Sequence, residues 1–202
     1  MTDCKSALSV IGAGSYGTSL AVSVASKGLQ VTLWDRKAER VLQMQQKREN
    51  STYLPGIKFP VSLKLTADLK EAVEDALIIL LVVPSHTFKE ILEKIIPYLT
   101  PKHRLAWATK GLEHESGELL SDTAKAVLPF HMSMAALSGP TFARELALGM
   151  PTAIAVAGND VKFTAELCKL MHTPTFRIYE CQDFIGLQLG GAIKNVIAIA
   201  VG

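Results

Sequence analysis

The sequence predicts an α/β fold built on a doubly wound, mostly parallel sheet. Strand-like and helix-like segments alternate almost from end to end. Several strand-like segments are continuous apolar runs, as expected of parallel strands buried on both faces. Finally, Ala7 to Asp35 joins an apolar run, a glycine turn, a helix-like segment, a second apolar run and an acidic residue.

In chain order, the predicted strands are Leu8–Ile11, Val31–Trp34, Leu77–Val83, Arg104–Ala108, Met134–Leu137, Ala153–Ala157 and Thr175–Tyr179. The predicted helices are Tyr16–Lys27, Lys37–Lys47, Leu69–Ala76, Phe88–Ile96, Leu119–Val127, Phe142–Leu148, Val161–Met171 and Phe184–Val201. Asp68 reads as an N-cap, with Glu71 as its capping-box partner, and Asp160 reads as a second N-cap. Pro97 and Pro101 bracket a helix end. Arg48 to Phe59 reads as an irregular excursion. Gly186 to Gly202 is an apolar helix of small residues, which calls for a covering surface: more chain, or a second copy in a homodimer. The predicted division is a dinucleotide-binding domain over residues 1–183 and the first helix of a truncated helical substrate domain over 184–202.

Composition excludes several classes of function. The 202 residues are 49% hydrophobic and 20% charged, with a net charge of +2, so no strong field favours nucleic acid or an anionic membrane. Cys4, Cys168 and Cys181 show no metal or disulfide spacing, which fits a reducing compartment. The longest apolar run, Ala76 to Val83, has eight residues and is too short for a transmembrane segment. Lys5 and the apolar stretch after it faintly resemble a signal peptide. The glycine turn interrupts that stretch, so the N-terminus reads as mature and the protein as cytoplasmic.

The chemistry starts at Gly12-Ala13-Gly14-Ser15-Tyr16-Gly17. Gly12 permits the tight turn, Gly14 lets backbone approach a pyrophosphate, and Gly17 allows close helix–strand packing. The helix beginning near Ser15 aims free N–H groups and a positive dipole end at phosphates. Asp35 lies 23 residues after Gly12, where a carboxylate can bind ribose hydroxyls and favour NAD. Its neighbour Arg36 can instead pair with the extra phosphate of NADP. Arg36 is the favoured nucleotide contact, so the pattern implies NADP or NAD, with NADPH preferred. A solvated surface ion pair is the plain alternative.

Further strand ends add candidates. His86 follows Val83-Pro84-Ser85, and reads as a solvated residue or a helix start rather than a proton donor. Lys110, after Ala108-Thr109, sits where it could hold an anionic substrate or a cofactor phosphate. Gly139-Pro140 is a turn, and Thr141 can cap the next helix beside an anion site. Lys194 lies mid-helix among small and apolar residues, with Gly190, Gly191 and Ala198 on one face. A lysine in such surroundings can act as general acid or base, with Asn195 as an orienting group. Snorkelling to solvent is the bland alternative.

Together these segments resemble one family. GAGSYGTSLA, LWDR, RENSTYLPGIKFP, ILLVVPS, ATKGLE, SGPTFARELALGMPTA and LGGAIKNVIAIAVG follow one another in the order of the bacterial NAD(P)-dependent glycerol-3-phosphate dehydrogenases. The resemblance implies a Rossmann-like fold and interconversion of dihydroxyacetone phosphate and sn-glycerol 3-phosphate, in service of glycerophospholipid synthesis. It implies cofactor contacts at Ser15, Tyr16, Arg36, Lys110 and Ala143, and substrate contacts at Lys110, Gly139 and Thr141. Tyr16 stands where the family more often has tryptophan. Lys194 matches the family's proton acceptor, and no metal is implied. The family's C-terminal helical domain supplies an aspartate and a Ser-Arg-Asn segment that this sequence does not contain. Two other readings stay open: a related Rossmann dehydrogenase acting on another hydroxy compound, and a cofactor-binding module without catalysis.

Overall fold

The structure, a computed structural model, describes residues 6–201, with side chains described through residue 194. Cys4, Lys5 and the side chains of Asn195 and Ala198 lie outside the described residues.

The chain forms an eight-stranded sheet from β1 (Leu8–Ile11), β2 (Val31–Trp34), β3 (Leu63–Thr66), β4 (Ile78–Leu81), β5 (Arg104–Trp107), β6 (Met134–Ser138), β7 (Thr152–Gly158) and β8 (Phe176–Glu180). The spatial order is β3-β2-β1-β4-β5-β6-β7-β8, and every neighbouring pair is parallel except β6–β7, which is antiparallel. The chain winds outward from β1 to β3, then crosses back to β4 and winds the other way. The direction therefore reverses between β1 and β4, and that switch point opens a crevice at the carboxyl ends of the strands.

The helices are α1 (Ser15–Ala25), α2 (Ala38–Lys47), α3 (Leu69–Glu74), α4 (Ser85–Ile95), α5 (Leu120–Val127), α6 (Ala143–Ala147), α7 (Val161–Met171) and α8 (Phe184–Val201). Successive strand residues enter two cores, one on each face of the sheet. Val10 and Leu80 pack with Leu20 of α1 and Phe163 of α7. Ile11 and Leu81 pack with Phe88 of α4 and Leu120 of α5. Both faces being covered explains why β1, β2 and β4 are buried at every residue.

The N-caps at Asp68 and Asp160 form. Asp68 accepts from the Glu71 N–H at 3.2 Å, and Asp160 accepts from the Lys162 N–H at 2.9 Å. Residues around Pro97 form a short 3-10 helix, Ile96–Tyr98. The sequence reading missed β3. This strand is only Leu-Lys-Leu-Thr, at the sheet edge, and its Lys64 is turned to Glu71 and Asp75. Four residues of weak alternation cannot outweigh the irregular segment before them.

The irregular excursion is itself ordered. Arg48 ends α2 in a left-handed conformation at φ 48° and donates to the Leu63 and Pro60 carbonyls. Glu49 pairs with Lys58 at 3.0 Å across its neck.

Candidate functional site

The glycine turn builds the first half of the site. Gly12 has φ +120°, and a Cβ there would lie 2.3 Å from the Val82 carbonyl oxygen. A Cβ on Gly17 would lie 1.9 Å from the Gly12 carbonyl oxygen, so α1 can approach β1 only because that atom is missing. Gly14 differs. It has ordinary extended dihedrals, and nothing lies within 4 Å of its Cβ position. Gly14 is also the N-cap of α1 and offers no side-chain cap, so no cap occupies the first-turn N–H groups. Ser15, exposed, opens that turn. A bare, open, positively polarised helix start is the cradle a pyrophosphate requires.

The turn is held from outside by a residue of the excursion. Asn50 is fully buried, and its Nδ2 donates to the Ala13 carbonyl and to Thr18 Oγ1, each at 2.9 Å. Its Oδ1 accepts from the Tyr53 N–H at 3.2 Å. From the sequence, Asn50 is simply one residue of the irregular excursion Arg48 to Phe59. Its type and its place in the irregular segment are visible in the sequence, but its partners across the fold are not.

A cleft of about 410 Å³ runs from this turn along the switch point, walled by the ends of β2 and β4 and by α4. Asp35 and Arg36 both line it, as do His86, Arg40 and Tyr53. Arg36 is exposed, whereas Asp35 is 3% exposed. His86 lies in the first turn of α4.

The second half of the site gathers at the ends of β5 and β6. Lys110 is half-buried, donates to the Gly139 carbonyl at 3.2 Å, and lies 5.8 Å from the centre of the Tyr16 ring. The Tyr16 hydroxyl lies 3.0 Å from Thr141 Oγ1. Burial pushes the Tyr16 phenol above its ordinary value, against a smaller opposing pull from Thr141, so it stays protonated and can donate. Burial, and then the like charge of Lys194, push the Lys110 ammonium below its ordinary value. Lys194 is exposed on α8, which packs against β6 where a Cβ on Gly191 would lie 2.9 Å from Ser138 Oγ.

One expectation from the sequence needs revision. Thr141 does not cap the next helix. Phe142 is the N-cap of α6, and the Thr141 hydroxyl meets Tyr16 instead. Gly139 also has a packing reason of its own, because a Cβ there would lie 2.7 Å from Ile154 Cγ2. Ala143 opens α6 and packs against the core that α1 lines.

The structure therefore brings Tyr16, Lys110, Gly139 and Thr141 into one cluster, electrostatically coupled to Lys194. It sets Gly12, Gly14 and Arg36 along the adjoining crevice, with Ser15 following Gly14 at the start of α1. Among the described residues, no group of His, Cys, Asp and Glu side chains could hold a metal ion.

A doubly wound sheet with a glycine-lined crevice at its switch point defines a Rossmann-type dinucleotide-binding domain. Residues 7–164 match the family model described as the NAD-dependent glycerol-3-phosphate dehydrogenase N-terminus. The chain is 55% identical over 201 residues to glycerol-3-phosphate dehydrogenase [NAD(P)+] of Tolumonas auensis, covering 99% of this chain and 60% of that protein. It is 53% identical to the enzyme of that name from Vibrio vulnificus, covering 96% and 57%. Among solved structures, glycerol-3-phosphate dehydrogenase of Coxiella burnetii superimposes with a TM-score of 0.92 at 40% identity, covering 97% of this chain and 60% of that one. The Saccharomyces cerevisiae enzyme gives 0.85 at 28% identity, covering 96% and 61%. This chain belongs to the NAD-dependent glycerol-3-phosphate dehydrogenase family. It spans about 60% of the length of these relatives.

Proposed function

We propose that the protein interconverts dihydroxyacetone phosphate and sn-glycerol 3-phosphate, with residues 1–183 as the dinucleotide-binding domain and 184–202 beginning a helical substrate domain. The cluster of Tyr16, Lys110, Gly139 and Thr141 beside the nucleotide crevice carries this reading, with Lys194 near enough for its like charge to act on Lys110. Two ammonium groups, one half-buried and one exposed, suit a phosphorylated substrate whose reaction generates negative charge.

The glycine turn fits a dinucleotide, because the space at Gly14 and the uncapped start of α1 suit its pyrophosphate. Ser15, Tyr16, Arg36, Lys110 and Ala143 would complete the contacts. When bound, a reduced nicotinamide would supply the hydride for reduction of the ketone. Lys194, as an ammonium, polarises the ketone oxygen and delivers the proton, so that no bare alkoxide accumulates. In the reverse direction neutral Lys194 removes the hydroxyl proton. Lys110, with Gly139 and Thr141, positions the substrate, and the Tyr16 ring walls the site.

Arg36, exposed beside the crevice, supports a preference for NADPH over NADH. Ile185, Leu189 and Ile193 of α8 are 59%, 41% and 47% exposed, which supports burial of this helix against more protein, in the same chain or in a homodimer. No helix among the described residues is long and apolar enough to cross a membrane. We place the protein in the cytoplasm, serving glycerophospholipid synthesis.

The test is NADPH oxidation in the presence of dihydroxyacetone phosphate, for the protein and for Lys194→Met. The variant should bind NADPH normally and lose turnover by 100-fold or more, the scale of a general acid. Near-normal turnover by Lys194→Met would refute the proton role. Reduction of a different ketone alone would favour a related dehydrogenase.

A further inference from the structure

Asp35 occupies the strand-end position where a carboxylate commonly binds the adenosine ribose. In this fold the carboxylate is already engaged. Its Oδ1 accepts from Arg40 Nη2 at 2.7 Å and from the Lys37 backbone N–H at 2.8 Å. Arg40 projects from the first turn of α2, with its guanidinium carbon 4.8 Å from the centre of the Tyr53 ring. Burial disfavours its charge, but Asp35 and Tyr53 outweigh burial and hold Arg40 firmly protonated. Arg40 Nε is buried without a hydrogen-bond partner, so the guanidinium is not saturated by the protein.

The charges lining this end of the cleft show where that leaves the site. Asp35 and Glu90 face Arg36, Arg40 and Lys94, a net charge of +1. Glu90 is paired with Lys94 at 2.5 Å and also feels Arg36. Each carboxylate is thus neutralised by a cation, and the charge left over is an exposed arginine.

We propose that Arg40 determines cofactor choice by sequestering Asp35. A free carboxylate here would repel a ribose 2′-phosphate and hydrogen-bond an unphosphorylated ribose. Held by Arg40, it does neither, and Arg36 meets the 2′-phosphate unopposed. This rests on the reading of the cleft as a dinucleotide site. Arg40 contacts no reacting atom; it is a specificity residue acting through Asp35.

The experiment measures dissociation constants for NADPH and NADH by titration calorimetry at fixed ionic strength, with thermal melts as the folding control. The unsubstituted chain should bind NADPH more tightly. Binding of neither nucleotide would overturn the dinucleotide reading itself. A preference for NADH would overturn only the role of Arg40. Arg40→Leu frees the carboxylate and should shift the NADPH-to-NADH affinity ratio at least tenfold toward NADH. An unchanged ratio in a folded variant refutes the proposal. Because Arg40→Leu strands a buried charge and can unfold the chain, Asp35→Asn supplies a second arm. With Asp35 already withdrawn, Asp35→Asn should leave NADH affinity within twofold. A tenfold loss of NADH affinity would show that Asp35 binds ribose directly, and the proposal would fall.

Discussion

The phenolic oxygen of Tyr16, in the glycine turn, lies 3.0 Å from the hydroxyl oxygen of Thr141, 125 residues further along the chain. This contact ties the nucleotide crevice to the turn after β6, so the two halves of the site share one wall. Tyr16→Phe keeps the ring beside Lys110 and removes only the hydroxyl. Stability should fall by about 1 kcal/mol, the usual net value of such a bond. NADPH affinity should change less than threefold. Denaturant unfolding and nucleotide titration check both expectations. A large loss of affinity would mean that the hydroxyl, not the ring, is what the nucleotide site uses.

Gly12 and Gly14 should respond differently to the same added methyl. Gly12→Ala forces an alanine into φ +120° and against the Val82 carbonyl oxygen at 2.3 Å, so the variant should be severely destabilised. Gly14→Ala meets nothing within 4 Å, and its dihedrals suit any residue. It should leave stability within about 1 kcal/mol, because the stiffer unfolded chain is offset by alanine's poorer fit as the N-cap of α1, yet weaken NADPH binding tenfold or more. Thermal melts and nucleotide titration separate the two. Tight NADPH binding by Gly14→Ala would mean that the pyrophosphate does not approach that backbone.

Asn50→Ala removes the clamp on the glycine turn. It leaves the Ala13 carbonyl and the Thr18 hydroxyl without their donor. The expected loss is about 2–4 kcal/mol, because buried polar groups would lose partners. A weaker hold on the turn should also raise the NADPH dissociation constant. Urea unfolding and titration report on the two effects, and a stability change under 0.5 kcal/mol would rule the clamp out.

Lys110 should give up its proton more readily than an ordinary lysine, partly because of the like charge of Lys194. The folded pKa of Lys110 is depressed below 10.5 by burial and by Lys194, so the fold opposes its charged form at neutral pH. That opposition fades as pH rises through the depressed value toward the unfolded one. Lys110 should thus discharge at lower pH than ordinary lysines, and affinity for phosphorylated ligands should weaken over that alkaline range. Lys194→Met removes the like charge and should move the Lys110 titration upward, though not fully, since burial remains. NMR titration of the Lys110 side chain is the measurement. A midpoint unmoved by Lys194→Met would show that the two lysines do not share a site.

The sequence alone determined the alternating order of elements, most of their boundaries and the glycine turn. Those features are local: apolar runs, caps at Asp68 and Asp160, and glycines that a tight turn demands. The family segments also placed Lys110, Thr141 and Lys194 among the site residues. Tertiary structure decided what these residues touch. The short edge strand β3 carries little local signal and exists through its pairing with β2. Asn50 reads as a loop residue until the fold lays it against Ala13 and Thr18. Thr141 reads as a cap until Tyr16 is seen beside it. Asp35 reads as a free ribose acceptor until Arg40, one turn into the next helix, is found bonded to it. Hydrogen bonds and charge pairing depend on distance in space: residues up to 125 positions apart become neighbours only after the sheet is wound, and even Asp35 and Arg40, five apart, meet only through the geometry of the turn from β2 into α2.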